Sequence, residues 1–192
     1  MLKLFKIIFI LSSSIGAVAL TGCQSIATKP HVASAAESPN QFSLQGKIGV
    51  KSPQQSGSAF FVWEQNEDQF DIELSGILGI GKTQISGQPG QVSLNSTKTG
   101  LITAETPEEL LERATGWQAP ITHLIHWIQA KPATLQAQLE KDQQQRITQI
   151  NEDGWNIQLS YNDTAQLPNR LILQQQLESG KENRITMVIQ NR

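Results

Sequence analysis

Trp155-Asn156-Ile157-Gln158-Leu159-Ser160-Tyr161 alternates apolar and polar side chains without a break. Successive side chains of an extended strand point to opposite faces. A period of two therefore sets Trp155, Ile157, Leu159 and Tyr161 against a core and turns the polar residues outward. The pattern recurs on both sides of this stretch. Upstream, Phe42, Leu44, Ile48 and Val50 alternate, as do Phe70, Ile72 and Leu74, while Ala59-Phe60-Phe61-Val62-Trp63 is apolar on both faces. Gln88-Pro89-Gly90 turns the run at Thr83–Ile85 into Val92–Leu94, and Leu101-Ile102 extends the series. Arg146–Ile150 precedes the turn Asn151-Glu152-Asp153-Gly154; Leu171–Gln175 and Ile185–Ile189 follow the quoted strand. Short consecutive strands joined by tight turns describe a mostly β chain, an antiparallel meander that curls into a sheet or barrel.

Helices interrupt the strands once. Thr106-Pro107-Glu108-Glu109 combines an N-cap residue, proline at the first helical position and acidic residues in the first turn. Leu110, Leu111 and Ala114 supply an apolar stripe, and Gly116 ends it. A second helix is expected over Ile121–Ala130, where Ile121, Leu124, Ile125 and Ile128 recur at helical spacing before Pro132. Leu135–Lys141 could add a further helical turn.

Charge and composition exclude several functions. Fifteen basic and 17 acidic residues give a net charge of −2. No Lys/Arg cluster with interleaved aromatics marks a nucleic-acid surface, so no nucleic-acid partner is expected. Catalysis finds no support: Gly-x-Ser-x-Gly is absent, and Glu108-Glu109 suits dipole complementation. His123 and His126 could share a helix face, but no third ligand stands near them, so no metal and no cofactor is expected.

Three features point to lipid. The segment Ser75-Gly76-Ile77-Leu78-Gly79-Ile80-Gly81 sets three large aliphatics where a hairpin connection normally carries polar residues. Ile77 and Ile80 could fold back into the core. Leu78, at the tip, is harder to bury and suits shallow insertion into a bilayer, so the three residues form a candidate membrane-insertion loop. The tryptophans Trp63, Trp127 and Trp155, together with Phe61, Ile72, Leu74 and Leu124, are candidates to line an apolar concavity covered by helices. Such a space would hold acyl chains by burial, at about 0.8 kcal/mol per methylene.

The third feature is the leader. Lys3 and Lys6 precede the apolar run Ile7–Leu11, which continues through Ala17-Val18-Ala19 to Leu20-Thr21-Gly22-Cys23. A basic start, a short apolar stretch and small residues make an export signal, too short to span a bilayer. The Leu-x-Gly-Cys ending resembles the lipobox of bacterial lipoproteins, which implies that Cys23 is acylated and begins the mature chain. Cys23 is the only cysteine, so it has no disulfide partner within the chain. Residues 1–22 are then a signal peptide, 23–40 a lipidated cysteine with a small, polar tether, and 41–192 the folded domain. Gln24 rather than aspartate follows the anchor, which favours the outer membrane over retention at the inner one.

From about Phe42 to the C-terminus the chain resembles the LolB family. The likeness rests on Phe60-Phe61-Val62-Trp63, the Leu78-Gly79 loop, Gln88-Pro89-Gly90, Thr106-Pro107-Glu108-Glu109-Leu110-Leu111, His126-Trp127-Ile128 and Gly154-Trp155, in this order and spacing. The resemblance implies a strongly curved antiparallel half-barrel with helices over an apolar cavity. It implies a receptor that takes lipoproteins, by their acyl chains, from a periplasmic carrier similar to LolA and releases them into the inner leaflet of the outer membrane. Leu78 falls where the family has a protruding apolar residue tied to release, and Trp63, Trp127 and Trp155 match family tryptophans. A monomer is expected. The tether is shorter than is common in the family. An envelope-assembly protein that docks a protein partner in the same concavity is the alternative reading of these residues.

Overall fold

The computed structural model describes residues 40–76 and 81–192. Six strands come first: β1 (Gln41–Lys51), β2 (Ser56–Asn66), β3 (Gln69–Ser75), β4 (Thr83–Gln88), β5 (Gln91–Ser96) and β6 (Gly100–Ala104). Helices α1 (Pro107–Thr115) and α2 (Ile121–Trp127) follow, then β7 (Gln138–Lys141), β8 (Ile147–Glu152), β9 (Trp155–Ser160), β10 (Arg170–Gln176) and β11 (Glu182–Asn191). All pair antiparallel in one eleven-stranded sheet of order β6-β5-β4-β3-β2-β1-β11-β10-β9-β8-β7. Two meanders thus meet along a single seam, where β1 pairs with β11. The sheet is open, with β6 and β7 at its edges, and both helices lie in the connection between those edges.

The alternation read from sequence sorts the two faces. On β2, Ala59, Phe61 and Trp63 are buried while Phe60 and Val62 are exposed on the other side. On β9, Trp155, Ile157 and Leu159 are buried. These join Leu44, Leu171, Leu173, Ile185, Met187 and Ile189 on one face, against Leu124, Trp127 and Ile128 of the α2 region. The core is therefore a layer of one sheet face and the helical segment that crosses it.

Gly46 explains how the seam closes. The β1–β11 register shifts between Gln45 and Gly46, a β-bulge that locally bends and twists the strand. A Cβ at Gly46 would lie 2.0 Å from the Val188 carbonyl oxygen and 3.0 Å from the Phe61 ring. Only glycine permits that approach, which is consistent with a curved sheet.

The first helix follows its sequence signals. Thr106 Oγ1 accepts from the Glu109 amide at 3.2 Å, and Gly116 ends the helix at φ 70°, its amide bonded to the Glu112 carbonyl. The second ends at Trp127, earlier than the apolar spacing suggests. The Gln129 and Lys131 amides both turn back to the His126 carbonyl and Ala130 takes φ 55°, which tightens the chain out of the helix. The helical turn expected over Leu135–Lys141 is not formed; Gln138–Lys141 pairs with β8 instead. The amides of Ala133 and Thr134 donate to the Glu152 carboxylate, which ties this segment to the end of β8.

Candidate functional site

The inner face of β3–β6 carries a row of aliphatic side chains that register alone fixes. Trp63 sits opposite Ile72, Ile72 opposite Ile85, Ile85 opposite Leu94, and Leu94 opposite Ile102. Directly paired residues of antiparallel strands share a face, so all five lie on the core side. Burial falls along the row: Trp63 is 4% exposed, whereas Ile72, Ile85, Leu94 and Ile102 are only half-buried. Ile72 still touches the main core; Ile85, Leu94 and Ile102 stand outside it. Above this part of the sheet lies α1, which contacts β5 and β6 and buries Leu110 alone among its own residues.

By contrast, α2 is fastened down. Leu124, Trp127 and Ile128 are buried in the core. Glu152, at the end of β8 and 6% exposed, accepts hydrogen bonds from Trp127 Nε1, from the amide of Ala133 at 3.0 Å, and from the amide and hydroxyl of Thr134 at 2.7 and 2.9 Å. Burial alone would raise the Glu152 pKa, and it is the largest single influence. The donors together outweigh it and hold the carboxyl below the ordinary glutamate value of 4.5. On the other side, Arg192 Nη2 donates to the carbonyls of Ile128 at 2.8 Å and Pro168 at 2.7 Å. Glu108 joins the helices: its Oε1 accepts from the Thr122 amide at 2.8 Å and hydroxyl at 2.9 Å, so an α1 side chain caps α2. Glu109 serves its own helix, pairing with Arg113 at 2.5 Å.

Of the expected cavity residues, Phe61, Trp63, Leu124, Trp127 and Trp155 come together in the buried core, with Ile72 and Leu74 half-buried against it. They pack on one another and on their neighbours. Trp63 meets Phe42 edge-to-face at 5.3 Å and donates Nε1 to Gln65 at 2.9 Å. Trp117 belongs to the same cluster, and its buried Nε1 finds no acceptor among the described residues. An open groove of about 940 Å³ lies at the ends of β1–β3. Its walls mix Phe42, Leu44, Phe70 and Leu167 with Gln129, Glu64 and Arg192. Ile77, Leu78, Ile80 and Cys23 lie outside the described residues. His123 faces Asp153 across 3.3 Å and stacks edge-to-face on Trp127.

Sequence reading missed the half-covered trio Ile85, Leu94 and Ile102, although each stands at an alternating position in its strand. It also passed over Glu152, which sits inside a turn signal and looks like ordinary surface polarity until its donors are seen.

A family model described as Outer membrane lipoprotein LolB matches residues 40–191. The chain is 40% identical over 152 residues to the outer-membrane lipoprotein LolB of Stutzerimonas stutzeri, an overlap of 77% of this chain and 71% of that one. It is 38% identical to the protein of that name from Pseudomonas putida over 152 residues, covering 77% and 72% of the two chains. The Pseudomonas fluorescens protein is also 38% identical, over 150 residues, covering 76% and 71%.

Proposed function

The chain belongs to the outer membrane lipoprotein LolB family, and from that membership we propose how its parts divide the work. It is an outer-membrane lipoprotein receptor and not an enzyme: it accepts lipoproteins from a LolA-like periplasmic carrier and passes them to the membrane, without covalent chemistry. The mature chain is a monomer held by acyl groups on Cys23, with residues 24–40 as tether. In this reading the open sheet is a half-barrel, and its inner face is the acyl-binding surface.

The observation that carries the reading is the graded row from Trp63 to Ile102. A folded domain normally covers its aliphatic side chains; here Ile85, Leu94 and Ile102 are half-buried and detached from the core. An acyl chain laid along them would remove its methylenes and theirs from water. At about 0.8 kcal/mol per methylene, ten methylenes contribute roughly 8 kcal/mol, enough to draw cargo from a weaker carrier. Phe61, Trp63, Ile72, Leu74, Leu124, Trp127 and Trp155 form the floor and far wall of this space once it opens. The difference between the helices indicates which part moves. Separating α2 from the sheet would expose Trp127 and Ile128 and strand the Glu152 carboxylate, whereas α1 can lift from β5 and β6 at the cost of Leu110, the half-buried Leu111 and exposed polar ties. The α1 segment is the flap and α2 the fixed hinge side. Leu78, flanked by Ile77 and Ile80, then enters the bilayer and couples the filled cavity to it.

Two measurements test this. Protein lacking residues 1–23 should take an acylated lipoprotein from the carrier in solution, detected as a stable complex containing the acyl species by mass spectrometry. A folded domain that never acquires cargo would sink the receptor reading. Leu78→Glu should leave acceptance intact and block delivery to vesicles; equal loss of both steps would place that residue in the core instead.

A further inference from the structure

The outer face of the sheet carries a second row that the transfer reading does not use. Across four neighbouring strands, Phe60 of β2 lies opposite Lys47 of β1, Lys47 opposite Val188 of β11, and Val188 opposite Arg170 of β10. Register places the four side chains on one face, over roughly 14 Å at about 4.8 Å per strand. Phe60 is 57% exposed and Val188 36%, and both cations are exposed. Lys47 Nζ stands 5.8 Å from the centre of the Phe60 ring. No carboxylate interrupts the row, which ends in Ser160 beside Arg170 and Ser75 beside Phe60.

Phe60, Val62 and Val188 group exposed apolar side chains on this face, and grouped apolar exposure marks a surface that meets a partner. Here the apolar and cationic members alternate, which suits a surface that is apolar just beneath a layer of anionic oxygens. An anionic phospholipid headgroup region has this build: phosphates meet Lys47 and Arg170 while Phe60 and Val188 reach the acyl boundary. Position favours the same partner, because Ser75, opposite Phe60, ends β3 and the chain then runs through Gly76 into Ile77-Leu78-Gly79-Ile80. We propose that the Phe60–Lys47–Val188–Arg170 row is a membrane-contact surface that docks the outer face of the sheet on anionic phospholipid. Its orientation rests on the reading that the 77–80 segment enters the bilayer; its chemistry does not. The row presses the outer face to the lipid and leaves the helical side turned to the periplasm, where a carrier can reach it.

The test uses the mature lipidated chain, whose single native cysteine is taken up by the anchor. A nitroxide is placed at Val188→Cys, with Phe60→Cys as a second position, Glu112→Cys on α1 as the aqueous control and Leu78→Cys as the loop reporter. Oxygen and a polar nickel complex are then compared as collision partners on vesicles of phosphatidylcholine with or without phosphatidylglycerol. Probes at 188 and 60 should become oxygen-accessible only on the anionic vesicles, while 112 stays aqueous. Lys47→Gln with Arg170→Gln should lower the docked-to-free ratio about 25-fold, about fivefold for each cation removed. Both variants change exposed side chains and should fold normally. Aqueous probes at 188 and 60 with a lipid-exposed probe at 78 would overturn the row and spare the loop. The converse would overturn the loop and spare the row, and aqueous probes at all three would overturn both. Shielding of 188 that appears only when the carrier protein is added would assign the row to a protein partner and overturn the lipid assignment.

Discussion

Replacing Glu152 tests whether α2 is the fixed element on which transfer depends. The carboxylate is 6% exposed and receives four donor groups, from Trp127, Ala133 and Thr134. Glu152→Ala leaves a buried indole N–H and two backbone amides without an acceptor. Hydrogen bonds to a charged group contribute roughly 1.5–3 kcal/mol each, but those sharing one acceptor are not additive, and the half-buried loop at 133–134 can take up water. A loss of about 3 kcal/mol follows. With a urea slope of about 2 kcal/mol/M, the unfolding midpoint should fall by about 1.5 M at neutral pH.

Acid gives the second arm. The folded Glu152 carboxyl titrates below the ordinary 4.5, so its contribution is complete above that value and fades as pH falls through the lower, folded-state pKa. Wild-type stability should therefore drop over that acid window, and Glu152→Gln, which has no proton to gain, should lack this part of the slope. Urea titrations at a series of pH values, followed by tryptophan fluorescence, read both effects. A midpoint shift below about 0.5 M for Glu152→Ala, or parallel pH curves for wild type and Glu152→Gln, would refute the view of Glu152 as the anchor of α2.

Three further outcomes are expected. Ile85→Glu should abolish acceptance of an acylated lipoprotein from the carrier while changing stability by no more than about 1 kcal/mol, because the side chain is half-buried and outside the core; a transfer assay beside a thermal melt distinguishes the two effects. Gly46→Ala should cost about 3 kcal/mol or more, since its Cβ would meet the Val188 carbonyl oxygen at 2.0 Å, and should lower the melting temperature by roughly 10 °C. Thr106→Ala should cost about 1 kcal/mol through the lost N-cap, with hydrogen exchange quickened in α1 and at the Thr122 amide that Glu108 caps, and unchanged at the Trp127 end of α2.

Much of this architecture is legible in the residues. Alternation at Trp155–Tyr161 and Phe70–Leu74 marks strands because burial on one face demands it, and Thr106-Pro107 with Gly116 brackets α1 because caps are local chemistry. The failures are non-local. Nothing near Leu135 in sequence says that Gln138–Lys141 will find its backbone partners in β8 and extend along that strand instead of coiling. Nor does the strand at Val92–Leu94 say how far a helix covers it, so the half-buried row became visible only through register. Family likeness supplied the receptor role, which no local pattern encodes.

The seam between β1 and β11 has a consequence for how the chain reaches its fold. Its first and last strands are neighbours, so the contacts that complete the sheet are the most distant in sequence, the kind that form slowly. Until the final strand arrives, β1 presents a long unpaired edge along the seam. Such an intermediate invites pairing with other chains. An exported chain of this design would depend on being chaperoned until its last strand has cleared the inner membrane, and a receptor for lipoproteins would itself be a demanding client on the way to its post.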